Sequence, residues 1–411
     1  MKIRSITYFL DPGTDQNLRC TAAAGAFLSA ARQAFSEAGY EVQTVRLATT
    51  PFPRWISDPA RVPAAALALE QAASAEGIQH ISMGPASPGQ LEYYAPIPAA
   101  LAGTQSVFLT GRMTTTQKEL SFPAARACAQ VIAKAAQIPA AGEANSAADG
   151  FANLRFSALS NVAAGTPFFP AAYHGGPQPA FALALECADL AVAAFRDCQT
   201  LADGRMRLVR AVEYHAARLE GTAARLAASQ KIAFGGLDFT LAPFPDDLRS
   251  IGAALEAVGA PAAGAAGTLA ATAVLAEALD RAVFHKTGFC GVMLPVLEDS
   301  VLAERAAQGQ LTVQSLLLYS AVCGTGLDCI PLPGDTTPEQ LEAVLVDVAA
   351  LALRLNKQLT ARLLPVPGKA AGDRTGFSFD YFANSRIFSA DAAPLRAPLR
   401  SSETLEIRPK R

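Results

Sequence analysis

Ile3-Arg4-Ser5-Ile6-Thr7-Tyr8-Phe9-Leu10 reads as a strand, and the segments after it decide the fold class. Ala22 to Ala38 carries helical spacing, and Tyr40 to Leu47 alternates polar and apolar like a half-buried strand. Ala64 to Ala75 predicts a helix, His80 to Met83 a strand, Gln105 to Leu109 a strand and Phe122 to Ala136 a helix. Strands and helices in alternation argue for a mostly parallel sheet covered by helices, an α/β protein.

Residues 139 to 180 change character, being rich in Ala, Gly, Pro and Asn. Two long helices are expected after them, over 178 to 198 and 203 to 228. The second carries charges at helical spacing, as a solvated face does. The alternation then resumes. Ile232 to Leu241 is an expected strand, 247 to 258 and 263 to 282 helices, and Phe289 to Leu294 a strand. Residues 311 to 321 and 338 to 355 read as helices, the latter opened by Asp335-Thr-Thr-Pro, and Thr360 to Pro365 as a last strand. Residues 1 to 387 thus form one large α/β domain with halves at about 1 to 140 and 200 to 387, joined by a loop and a helical segment. Residues 388 to 411 form a tail. Two domains, or two half-sheets closing one barrel, both satisfy this order.

The chain of 411 residues is 51% hydrophobic and 17% charged, with a formal net charge of −2. Near neutrality gives no electrostatic reason to expect nucleic acid or an anionic membrane as partner. No apolar run reads as a membrane span, and Met1-Lys2-Ile3-Arg4 leads straight into a strand rather than a secretory segment. A cytoplasmic protein is expected. The seven cysteines show no disulfide or metal spacing, and none of the four histidines pairs with another. Ala-rich helices could pack between subunits, so a homo-oligomer is an open expectation.

Cys323-Gly-Thr-Gly-Leu-Asp328 is the strongest chemical signal. It groups a thiol, a hydroxyl and a carboxylate around Gly324 and Gly326, which let backbone approach a ligand. A helix ending just before Cys323 would disfavour its thiolate. Gly235-Gly236-Leu237-Asp238 ends a strand in a similar Gly-x-Asp setting, and Tyr173-His174 lies in an apolar loop. Lys369, in a glycine-rich turn, is a candidate anion holder. Glu298 and Asp299 follow a buried strand and would be the ligands if a divalent metal were bound; no other cofactor is expected. Each has a plain structural alternative as well: a buried thiol, a turn, a helix cap or a histidine satisfied by backbone.

Several strings together resemble one family: Pro167-Phe-Phe-Pro-Ala-Ala-Tyr-His174, Phe234-Gly-Gly-Leu-Asp-Phe-Thr-Leu-Ala-Pro243, Met293-Leu-Pro-Val-Leu-Glu-Asp299, Cys323-Gly-Thr-Gly-Leu-Asp328, Pro331-Leu-Pro-Gly-Asp335 and Pro365-Val-Pro-Gly-Lys369. The chain resembles the uncharacterised bacterial and archaeal family known as domain of unknown function 711. That family in turn resembles the pyruvate formate-lyase-like glycyl radical enzymes in fold. The resemblance implies an α/β barrel of two parallel half-sheets covered by helices, with Cys323 on a central loop. Glycyl radical enzymes carry an Arg-Val-x-Gly-aromatic string near the C-terminus. The nearest context here, Arg374-Thr-Gly-Phe377, lacks it, so no stored radical is expected.

The expected function is therefore a non-radical enzyme of lyase or hydrolase type, acting on a small polar or anionic metabolite in a central cavity. Cys323, Asp328, Asp238 and His174 are the catalytic candidates. Tyr173, Gly235, Gly236, Thr325, Gly326 and Lys369 are the binding candidates. The alternatives are a ligand-binding or sensory protein on an enzyme-like scaffold, and a metal-dependent enzyme using carboxylate ligands.

Overall fold

The computed structural model describes residues 1–13, 18–139 and 147–410. In chain order its elements are β1 (Lys2–Leu10), α1 (Cys20–Glu37), β2 (Val42–Thr49), α2 (Val62–Ala75), β3 (His80–Ala86), α3 (Ile97–Ala102), β4 (Val107–Arg112), β5 (Glu119–Ser121), α4 (Phe122–Ala135) and β6 (Phe156–Ser160). The second half holds β7 (Ala180–Glu186), α5 (Ala188–Phe195), α6 (Leu201–Gln230), β8 (Ala233–Ala242), α7 (Ile251–Val258), α8 (Thr268–Arg281), α9 (Ser300–Ala307) and α10 (Val313–Tyr319). It closes with β9 (Gly326–Pro333), α11 (Pro338–Arg354), β10 (Leu359–Val366) and β11 (Thr404–Glu406). The boundary expected at residue 140 lies outside the described residues.

Nine strands form one sheet in the order β8-β7-β1-β2-β3-β4-β6-β10-β9. The central five, β1, β2, β3, β4 and β6, are parallel. On each side a parallel pair runs the other way: β7 with β8, joined antiparallel to β1, and β10 with β9, joined antiparallel to β6. Both outer strands touch the same irregular segment. Lys286 and Val292 bridge to Leu237 and Leu241 of β8, and Pro295 bridges to Asp328 of β9.

One face of the sheet packs on helices. Ile6, Tyr8 and Leu10 of β1 join Phe27, Leu28 and Ala31 of α1 in the main apolar cluster. The alternate residues of the same strand, Ser5, Thr7 and Phe9, face the other way, as strand pleating requires. There a loop, residues 166–175, covers them. Thr7 Oγ1 donates to the Pro167 carbonyl at 2.9 Å, and Ser82 Oγ to that of Ala172 at 2.6 Å. Phe169 packs with Phe9, Ala48 and Ala182, and Phe168 with Ala184, Ala242 and Met293. Small side chains on this face leave room for the loop.

Four sequence expectations change. The helix expected from residue 178 begins as β7, because Phe-Ala-Leu-Ala-Leu is apolar at every position and carries no period to separate strand from buried helix. Residues 289–294 make isolated bridges rather than a strand. Strand β9 is an addition, since Pro331 and Pro333 read as loop. It sits at the outer end of the nine-strand order, where missing amide donors cost little. The tail is tied down through β11, which pairs with β5, while Phe388 and Ala390 enter the main core.

Candidate functional site

A cavity of about 570 Å³ opens at the amino ends of the central strands. Arg4 of β1, Thr44 and Arg46 of β2, His80 of β3 and Phe108 of β4 line it. Pairing sets their spacing: Arg46 stands directly opposite His80 across β2 and β3. From the far side come Arg362 of β10, Glu298, and Phe151, Phe379 and Tyr381. The loop that covers the inner face supplies the remaining wall, with the Phe169 ring centroid 5.0 Å from the Arg46 guanidinium carbon.

Most charges here are matched. Arg362 donates to Asp328 from Nε at 2.5 Å and from Nη2 at 3.0 Å, and Nη2 also reaches Glu298 at 2.8 Å. Arg4 reaches Glu298 at 2.6 Å and Glu186 at 3.7 Å, and Arg249 meets Glu186 at 3.2 Å. Burial raises the Glu298 carboxyl, but Arg362 and Arg4 outweigh it and hold it below the ordinary range. For Asp328 burial prevails over Arg362, and its carboxyl is raised.

Arg155, also on the wall, donates from its terminal nitrogens to Thr104 and to the carbonyls of Val107 and Leu101, which leaves Arg46 as the exception. Its Nε donates to Thr44 Oγ1 at 2.8 Å, and among the described residues its terminal nitrogens have neither a hydrogen bond nor a carboxylate. Burial, with the repulsion of Arg4, lowers it to about 9. It stays cationic at neutral pH, and Glu298, already held by Arg4 and Arg362, attracts it only from beyond ion-pair distance. Beside it, burial and the Arg46 charge push His80 down to about 3, so the imidazole is neutral.

Of the residues that the sequence singled out, Glu298 lines the cavity and Asp328 stands behind it, gripped by Arg362. The others lie elsewhere. Cys323 is buried in the main core, in the turn between α10 and β9, where its carbonyl accepts from Lys357 Nζ. Thr325 and Gly326 shape the start of β9: the Thr325 carbonyl accepts the Thr360 amide at 2.7 Å, and a Cβ on Gly326 would stand 2.3 Å from the Thr360 carbonyl oxygen. Asp238 accepts the amides of Phe289 and Cys290 at 2.8 and 2.9 Å, and so holds the irregular segment against β8. Gly235 and Gly236 precede Asp238 on β8, and at Gly236, with a φ of +115°, the His285 carbonyl oxygen comes within 2.7 Å of where a Cβ would stand. Tyr173 and His174 are satisfied by backbone, donating to the carbonyls of Val162 and Gln178 at 2.8 and 2.9 Å. Lys369 is exposed in a surface turn.

The expected Glu298–Asp299 metal pair is split. Asp299 turns away and accepts from Ser250 Oγ and the amides of Ile251, Gly252 and Leu302, capping α7 and α9. Glu298, Asp328 and Cys329 do bring donor atoms within 4.8 Å of one another. That trio fits a guanidinium better than an ion. Arg362 already takes both carboxylates, and burial raises the Cys329 thiol well above its ordinary value, so it stays protonated.

Arginine inside otherwise apolar strands was the signal that sequence reading passed over. Arg4, Arg46 and Arg362 each sit in a strand whose neighbours are buried.

The family model described as "Uncharacterised ACR (DUF711)" matches residues 1–380. The chain belongs to this family. DUF711 relatives carry the name UPF0210 protein in archaea and bacteria. One from Pyrobaculum arsenaticum is 32% identical over 367 residues, 84% of this chain and 78% of the relative. One from Thermoanaerobacter sp. is 31% identical over 362 residues, 83% of this chain and 78% of the relative. Among the described residues of this DUF711 chain, no helix is long and apolar enough to cross a membrane.

Proposed function

We propose that this DUF711 protein holds a small anionic metabolite in the cavity at the amino ends of β1 to β4, with Arg46 as receptor for the anion. The observation that carries the reading is the bare guanidinium. A partly buried cation with an aromatic ring against it and no carboxylate in ion-pair contact is poorly solvated and weakly matched, and an incoming anion corrects both conditions. Any turnover then relies on charge stabilisation by Arg46 and His80. The thiol of Cys323 lies off the cavity wall, Glu298 is clamped by two guanidiniums, and His80 takes up no proton near neutral pH. A non-radical lyase that polarises a carbonyl fits these groups, and so does a binding protein without turnover.

We also infer that the sheet closes into a barrel through residues 286–295. Support comes from the bridges that this one segment makes to both outer strands, and from five parallel strands facing two antiparallel flanking pairs. This arrangement agrees with the resemblance to the glycyl radical enzyme barrel.

The test is thermal stabilisation by a panel of small carboxylates and phosphates, each beside its neutral amide or ester. Anions that stabilise the wild type but not Arg46→Gln, with inert neutral analogues, support the reading. Equal stabilisation by acids and their amides sinks it.

A further inference from the structure

His80 is the second unusual group on the cavity wall. Its Nδ1 is shut off from solvent and has no hydrogen-bond partner. The ring meets Phe108 edge-on, centroids 5.6 Å apart, and lines the cavity beside its pairing partner Arg46. A buried N–H without an acceptor is rarer and costlier than a buried lone pair. Nδ1 therefore carries the lone pair and Nε2 the proton. Nε2 has no protein partner among the described residues, which leaves its N–H free for a ligand.

Resting on the anion reading above, we propose that Arg46 and His80 together select an α-keto carboxylate: Arg46 takes the carboxylate, and the His80 Nε2–H donates to the neighbouring carbonyl oxygen. An uncharged donor suits an uncharged acceptor. A second anionic oxygen would call for a second free cation; Arg4 and Arg362 are both committed to carboxylates, and Arg155 uses its terminal nitrogens on Thr104 and on the carbonyls of Val107 and Leu101. The imidazole held neutral by burial supports this, because it donates without adding charge. Beyond the carbonyl, Phe108, Phe151, Phe169, Phe379 and Tyr381 offer aromatic walls to an apolar or aryl body.

Calorimetric titration with phenylpyruvate, phenyllactate and phenylpropionate separates the alternatives. The wild type is expected to bind phenylpyruvate about fivefold to tenfold more tightly than phenylpropionate, the worth of one neutral hydrogen bond. His80→Phe keeps the ring and should bring the two within about twofold; His80→Leu serves if the Phe variant does not fold. His80→Gln, which can offer an N–H, should restore part of the preference. Arg46→Gln should weaken both acids about tenfold or more. A preference that survives in His80→Phe, equal binding of phenylpyruvate and phenylpropionate by the wild type, or tighter binding of phenyllactate than phenylpyruvate overturns the α-keto assignment alone. Failure of the wild type to bind any of the acids overturns the anion reading beneath it.

Discussion

Arg362 holds both oxygens of Asp328, through Nε at 2.5 Å and Nη2 at 3.0 Å, from the strand next to it in the sheet. The same guanidinium reaches Glu298, so one cation balances two buried carboxylates. Removing it strands Asp328 and leaves Glu298 with Arg4 alone. Arg362→Met is expected to cost about 3–5 kcal/mol, read by urea denaturation. Lysine cannot reproduce the two-pronged geometry, so Arg362→Lys should recover less than half of that loss.

Stability should fall on mild acidification for a reason that traces to His80. Its folded value, about 3, lies below the ordinary 6.5. The unfolded chain therefore takes up a proton that the folded chain refuses. The stabilising contribution is complete above pH 6.5 and is lost as pH falls from there towards 3, by up to about 1.4 kcal/mol per pH unit. Between pH 7 and pH 5 the wild type should lose about 2 kcal/mol that His80→Phe does not lose. Parallel denaturation curves at the two pH values check this; identical losses would show that His80 does not titrate differently in the two states.

The thiols should sort by burial. Cys323, Cys128, Cys187 and Cys329 are buried, whereas Cys20, Cys198 and Cys290 are half-buried. Alkylation near neutral pH, followed by peptide mass spectrometry, should label the half-buried thiols first. Cys323 should lag by about a thousandfold or more, because it waits for an opening of the core. Cys323→Ala should cost about 1 kcal/mol and leave ligand binding unchanged. Fast labelling of Cys323, or lost binding in the variant, would return the thiol to the site.

Asp238 and Asp299 are expected to matter for stability rather than for chemistry. Asp238→Ala leaves the amides of Phe289 and Cys290 without their acceptor, at a cost of about 2–4 kcal/mol. Limited proteolysis should then cut near residues 285–291 at concentrations that spare the wild type. Asp299→Ala removes the cap of two helices and should cost about 2–3 kcal/mol.

The strands from β1 to β4 were readable because each has a helix beside it with a clear period. β7 was not, since its apolar run has none, and β9 was disguised by its prolines. The site was harder to read for a different reason. In Val42-Gln-Thr-Val-Arg-Leu47 the polar alternates look like a solvated edge, and alternation cannot distinguish solvent from the wall of an internal cavity. The Gly-x-Asp likeness was real but structural. Asp238 and Asp328 lie on the two outermost strands, each beside the segment 286–295. The chemistry inferred for the Cys323 turn rested on residue types that also make a tight approach of backbone to backbone. Gly324 meets Gly291 there so closely that an added Cβ would stand 2.6 Å from the Gly291 Cα.

The loop 166–175 enters the inner face from the carboxyl ends of the central strands, and Phe169 lies beneath Arg46. It therefore acts as an adjustable stopper. Lengthening or shortening it by a residue would change how deep a ligand can sit, with every strand and arginine left in place.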